Sequence, residues 1–89
     1  MAKFLIEVPH DTKEVACTRV VEIFLNTGSH FLSSADWGCL DGNHNAWLTV
    51  EVDNKDEARF ILPPAFRARA KVVQLNKFTI DDIVRHHRS

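Results

Sequence analysis

Residues 46–52 alternate strictly: Ala46, Leu48, Val50 and Val52 fall on one side of an extended chain, Trp47, Thr49 and Glu51 on the other. A period of two belongs to a strand. Such a strand needs cover on its apolar side and tolerates water on the other, which is the pattern of an antiparallel sheet covered on one face. Residues 3–8 repeat it, with Phe4, Ile6 and Val8 opposed to Leu5 and Glu7. Pro9 has no N–H to give to a ladder and should end that strand. Residues 71–78 read as the last strand.

Helical spacing fills the gaps. Ala16, Val20, Ile23 and Phe24 recur at i, i+4, i+7 and i+8, with Val15, Cys17, Val21 and Leu25 widening the stripe. Asp11 and Glu14 have the spacing of a capping box at the start of that helix, and Gly28 is a left-handed stop at its end. Residues 29–34 read as a polar connection, residues 36–40 as a short strand, and Asp41-Gly42-Asn43 as the strongest turn in the chain. Asp53 or Asn54 should cap a second helix that carries Asp56 and Glu57 in its first turn and Ala58, Ile61 and Leu62 on its apolar face. Pro63-Pro64 stop it. Residues 65–70 stay open between a helical turn and an irregular link. Thr79 should cap a short terminal helix beginning at Ile80.

The order β-α-β-β-α-β plus a terminal helix predicts an α+β, ferredoxin-like arrangement: a four-stranded antiparallel sheet with two helices on one face. The 89 residues suffice for one domain, spanning 1–89, and 45% hydrophobic with 26% charged residues is an ordinary globular balance. Net charge is −1. Residues 1–58 carry four bases and ten acids, and residues 59–89 seven bases and two acids, which reads as neutralisation across one fold or as a basic end meeting an acidic end of a second copy. No apolar run approaches the ~18 residues of a membrane helix. Met1-Ala2-Lys3 leads straight into a strand, so no signal peptide is expected, and Cys17 and Cys39 are expected as reduced thiols of a cytoplasmic protein.

The open sheet face is where function is expected. Leu5, Glu7, Trp47 and Thr49 point to it together with Glu51. The place of Trp37 and Cys39 depends on hairpin register. A three-residue loop, 41–43, sets Trp37 beside Trp47 on the open face; a two-residue loop buries Trp37 and Cys39 under the helices. The three-residue loop is the expectation. A Trp beside Leu in a flat face implies a cover: a second subunit first, then the terminal helix with Ile80, Ile83 and Val84, then a small-molecule ligand. A homodimer is therefore the expected assembly.

Three chemistries compete in the stretch from His30 to Trp47. His30, Asp36 and His44 are candidates for an acid–base site, with His30–Asp36 or His44–Glu7 as the pairs. Cys39 would be a nucleophile only with His44 as its base. Cys39 and His44 also have a plausible ligand spacing across a hairpin, but too few partners in a standard pattern; no metal ligand set and no cofactor is assigned, and a metal-binding or sensing module stands as an alternative. Nucleic-acid binding is disfavoured, because Glu7 and Glu51 would repel phosphate from the central strands. Arg67, Arg69 and Lys71 read as a solvated face. Residues 85–88, with His86-His87, read as a frayed basic tail able to bind metal adventitiously.

The segments FLIEVPH at 4–10, GSHF at 28–31, ADWGC with the following DG, H and AW at 35–47, and ILPPAFR at 61–67 resemble a group of small uncharacterised bacterial proteins. That resemblance spans most of the chain and implies no catalytic residue. At the level of topology the predicted order is also similar to dimeric α+β-barrel proteins, such as muconolactone isomerases and small monooxygenases, in which two subunits pack open face to open face. That similarity implies a homodimer with ligands near the interface, and as an alternative a small isomerase or monooxygenase-like enzyme.

Overall fold

In the computed structural model, which describes residues 1–11 and 13–88, eight residues of β1 (Ala2–Pro9) lie at the centre of a four-stranded antiparallel sheet of order β2-β3-β1-β4. Helix α1 (Glu14–Asn26) and the short α2 (His30–Ser33) follow β1, and β2 (Asp36–Trp37) adds an edge. A 3-10 turn (Cys39–Asp41) leads to β3 (Asn45–Val52). Helices α3 (Lys55–Phe60) and α4 (Pro64–Arg67) precede β4 (Lys71–Leu75), and α5 (Ile80–Arg88) ends the chain. The fold is thus α+β, as the periodicities require. The side chains of Glu14 and of residues 86–88 lie outside the described residues, so the Glu14 half of the expected capping box and the His86-His87 reading do too. At the start of α1 the Asp11 carboxylate accepts from the Lys13 N–H at 3.3 Å, and the cap position is Lys13, without a side-chain cap.

One core holds the layers together. Phe4, Ile6 and Val8 of β1, Ala46, Leu48 and Val50 of β3 and Val72 of β4 meet Val20 and Phe24 of α1, Leu32 of α2, Ala58 of α3, and Leu62. Every apolar position predicted from alternation is buried except Val52, which is half-buried at the strand's end. Full burial of a side chain such as Phe24 or Ile6 contributes about 1.5–3 kcal/mol each. Asn54 accepts from the Glu57 N–H at 2.9 Å and caps α3. Thr79 and Asp82 satisfy each other's backbone N–H groups, at 3.1 and 2.9 Å, and start α5.

The hairpin register departs from expectation. Asp36 pairs with Trp47 and Trp37 with Ala46, so odd positions face even ones. Trp37 therefore lies on the helix-covered face, packing on the core rather than beside Trp47. The loop is not three residues. The strand stops at Trp37, the Gly38 N–H donates to the Asn45 carbonyl, and the chain turns through Cys39–Asp41 to Gly42 at φ 82°. Gly42 supplies the left-handed residue that the Asp-Gly-Asn signal promised. Gly38 answers a different need: a Cβ there would stand 2.6 Å from the Asn43 carbonyl oxygen and 2.7 Å from the Trp47 ring.

Two further segments differ. Residues 29–34 contain a turn of helix capped by Ser29 rather than a bare connection. Arg67 is not part of a solvated face. Its guanidinium donates to the Leu62 and Phe60 carbonyls at 2.9 and 3.2 Å and lies 4.6 Å over the Phe60 ring. Arg59 donates to the Ala70 carbonyl at 2.8 Å. Arg67 thus satisfies carbonyls left over where Pro63-Pro64 end α3, and Arg59 satisfies one that precedes β4.

Candidate metal centre

The β1–β3 ladder continues past its last strand residues. The His10 N–H donates to the His44 carbonyl at 3.1 Å, so the two histidines stand side by side where both strands leave the core. Their rings meet edge to face, 5.7 Å apart. The 3-10 turn brings Cys39 to the same spot, and Cys17 arrives from the first turn of α1. One ligand atom from each of His10, Cys17, Cys39 and His44 lies within 4.8 Å of every other. His10 Nε2 is 3.1 Å from Cys39 Sγ, and the Cys17 thiol donates to Cys39 Sγ at 2.6 Å.

The surroundings leave these groups poorly satisfied. His10 is 8% exposed and is the one buried polar or charged residue among the described residues. Its Nδ1 and that of His44 are buried with no hydrogen-bond partner. A buried polar atom without a partner costs about 1–3 kcal/mol, and each one asks for an explanation. Burial, and then the neighbouring His44, hold His10 below the ordinary imidazole pKa, while the Val8 backbone works the other way. The ring is therefore kept neutral near pH 7, the form that ligates a metal.

The donor set fits one ion. Tetrahedral zinc bonds at about 2.3 Å to sulfur and about 2.0–2.1 Å to nitrogen require donors roughly 3.3–3.8 Å apart, a spacing that a 4.8 Å cluster reaches with small side-chain shifts. Two thiolates cancel the charge of a divalent cation, and two neutral imidazoles complete four-coordination.

The other candidates are scattered. His30 is exposed on α2, and Asp36 is exposed on the open side of the edge strand. Neither shares a described hydrogen bond with His44. Glu7 is committed elsewhere, accepting from Trp47 Nε1 at 3.0 Å. A cleft of about 430 Å³ lies between α1 and α4, lined by His10, Lys13, Arg19, Val20, Phe66 and Arg69 among others, and by none of His30, Asp36 or His44. Cys39 and His44 do meet, as the hairpin spacing suggested. His10 and Cys17 were not foreseen as ligands. The available signal was the register itself: with Val8 opposite Ala46, two steps further sets residue 10 opposite residue 44. No α-helix of the described residues is long and apolar enough to cross a membrane. Comparison of the chain with family models, with curated proteins and with solved structures finds no match.

Proposed function

We propose that this chain is a metal-binding module that holds one divalent transition-metal ion, zinc by the chemistry of its donors, between His10, Cys17, Cys39 and His44. The observation that carries the reading is the convergence of four soft and borderline donors within 4.8 Å, from three separate stretches of chain. A set of four protein ligands leaves no position for a substrate, so the ion would organise the end of the sheet rather than activate water. The thirteen buried apolar residues of the core, among those described, include none of the four donors, so we expect the core to form without the ion. Reduced, untagged protein dialysed against zinc should retain one equivalent, and Cys39→Ser should weaken retention by at least tenfold. Absence of stoichiometric zinc by elemental analysis would reject the proposal.

A second reading concerns assembly. We infer a ferredoxin-like βαββαβ plan from the strand order with helices following β1 and β3, and with it a homodimer through the uncovered sheet face. Leu5 lies between Thr49 and Val73 on that face, and Leu75 and half-buried Trp47 flank them. Lys3 and Glu51 stand opposite each other nearby, so the patch has both charges to offer a copy of itself. The exposed Ile80, Ile83 and Val84 of α5 add a second unpartnered apolar stripe. Trp47 is a weaker anchor than its sequence position implies, because Glu7 and Gly38 already hold its ring. Leu5→Asp should shift a dimer toward monomer in light scattering with helical content unchanged; a monomeric parent protein at tens of micromolar would remove the reading.

A further inference from the structure

Cys17 and Cys39 stand in a relation that metal binding alone does not require. Their sulfurs touch, at 2.6 Å, although the residues lie on different elements and 22 positions apart. Both are half-buried, so a small oxidant reaches them while bulk water is partly kept away. His10 Nε2 lies 3.1 Å from Cys39 Sγ, so the sulfur pair is held on a third side by a ring nitrogen. Cys39 opens the hydrogen-bonded 3-10 turn between β2 and β3, and the two sulfurs are already in contact, so linking them asks only for a small shift of the side chains.

We propose that Cys17 and Cys39 are an oxidisable dithiol, and that a hydroperoxide converts them to an intrachain disulfide that discharges the metal held by the same four residues. The proposal rests on the metal reading for its release step. One thiolate attacks an oxygen of hydrogen peroxide; the O–O bond breaks, the sulfur becomes a sulfenic acid and the other oxygen leaves as water after taking a proton. The second thiolate then attacks that sulfur, the S–S bond forms, and the sulfenic oxygen leaves as a second water after taking another proton. Two electrons pass from the sulfurs to the peroxide, and two thiolates, one peroxide and two protons become one disulfide and two waters. The two states exclude each other for a simple reason. Sulfurs bound to a tetrahedral ion stand near 3.8 Å apart and carry the charge that holds it, whereas a disulfide brings them to about 2.05 Å and removes that charge. His10 and His44 alone cannot hold the ion with comparable affinity.

The test uses the full chain, reduced and loaded with zinc, then exposed to a small excess of hydrogen peroxide. A chromogenic chelator reads released zinc, and intact mass with peptide mapping reads the sulfurs. The expected result is about one zinc released per chain, a mass loss of two hydrogens, a linked Cys17–Cys39 peptide pair, and recovery of zinc binding after treatment with a thiol reductant. Cys17→Ser should instead accumulate oxygen on Cys39 with no intrachain link. Zinc retained while the peroxide is consumed, or Cys39 oxidised alone while Cys17 still reacts with an alkylating agent, would overturn the dithiol proposal and leave the metal reading standing. A reduced protein that retains no zinc would overturn the metal reading and its release step together, whereas the mapped disulfide reports on the sulfur pair by itself.

Discussion

The interior of this protein and the end of its sheet are built from touching residues by opposite rules. A row of edge-to-face rings joins them: Phe66 to Phe24 at 5.5 Å, Phe24 to Trp37 at 5.2 Å, Trp37 to His10 at 5.9 Å, and His10 to His44 at 5.7 Å. At the Phe24 end the ring partners are Phe66 and Trp37, and among the described residues no buried side-chain nitrogen or oxygen there lacks a partner. At the His10 end the same close packing encloses ring nitrogens without hydrogen-bond partners and two thiols in contact. The lesson is one of satisfaction: the apolar core includes none of the four donors, whereas the cluster gathers a surplus of donors in one place, which is the preorganisation that ligand binding needs.

The sharpest way to break that contrast is at Phe24, the ring that joins Phe66 to Trp37. Phe24 is fully buried. Phe24→Ala should cost about 3–5 kcal/mol in denaturant unfolding, with Trp37 losing its support and zinc retention falling as a consequence. A Cys39→Ser protein, by comparison, should keep its metal-free stability within ~1 kcal/mol. If both substitutions proved equally destabilising without metal, the separation of core from cluster would be wrong. Gly38→Ala comes next. Its new methyl meets a backbone oxygen and an aromatic ring with little room to yield, so a loss of about 1–3 kcal/mol is expected. The same substitution at Gly38 should also reduce zinc affinity, since the displaced turn carries Cys39; an unaltered zinc titration would show that turn to be more pliant than its contacts imply.

The smallest effect is on pH dependence. Because burial depresses the pKa of His10 below its unfolded value, the unfolded chain takes up this proton first on acidification. The contribution of His10 is fully present above about pH 6.5 and is lost as pH falls through its lower folded value. Metal-free protein should therefore lose stability between pH 7 and pH 5 more steeply than His10→Gln. Parallel slopes in chemical unfolding at several pH values would mean that the ring is solvated in solution and that the buried end of the comparison is mis-stated.

How much of this was readable beforehand depended on range. Alternation in residues 3–8 and 46–52 identified the covered face residue by residue, because a strand's period is fixed by its own backbone. Asn54, Thr79, Gly28 and Gly42 were legible for the same reason: capping and positive φ are local demands. Trp37 was misplaced because the register of β2 depends on where residues 38–44 spend their length, and a 3-10 turn followed by a left-handed glycine shifts the pairing by one. One step of register moved a tryptophan from the open face to the core and took Cys39 with the turn toward the histidines. The candidate site was half legible. Cys39 and His44 are near in sequence, whereas His10 and Cys17 belong to no standard spacing and meet them only after a strand pair and a helix docking have formed.

By itself, the amino-acid sequence determined the order of the four strands and the main helices, the apolar side of β1 and β3, and the caps at Asn54 and Thr79, since these follow from periodicity and local backbone preference; the helical turn at 30–33 and the side of Trp37 did not. Tertiary structure alone decided that two cysteines and two histidines drawn from a strand end, a helix and a turn would stand within one coordination sphere. The physical reason is that packing of the apolar faces fixes the positions of polar residues which make no contribution of their own to that packing, so their meeting is written in the register and docking of the elements rather than in any local pattern.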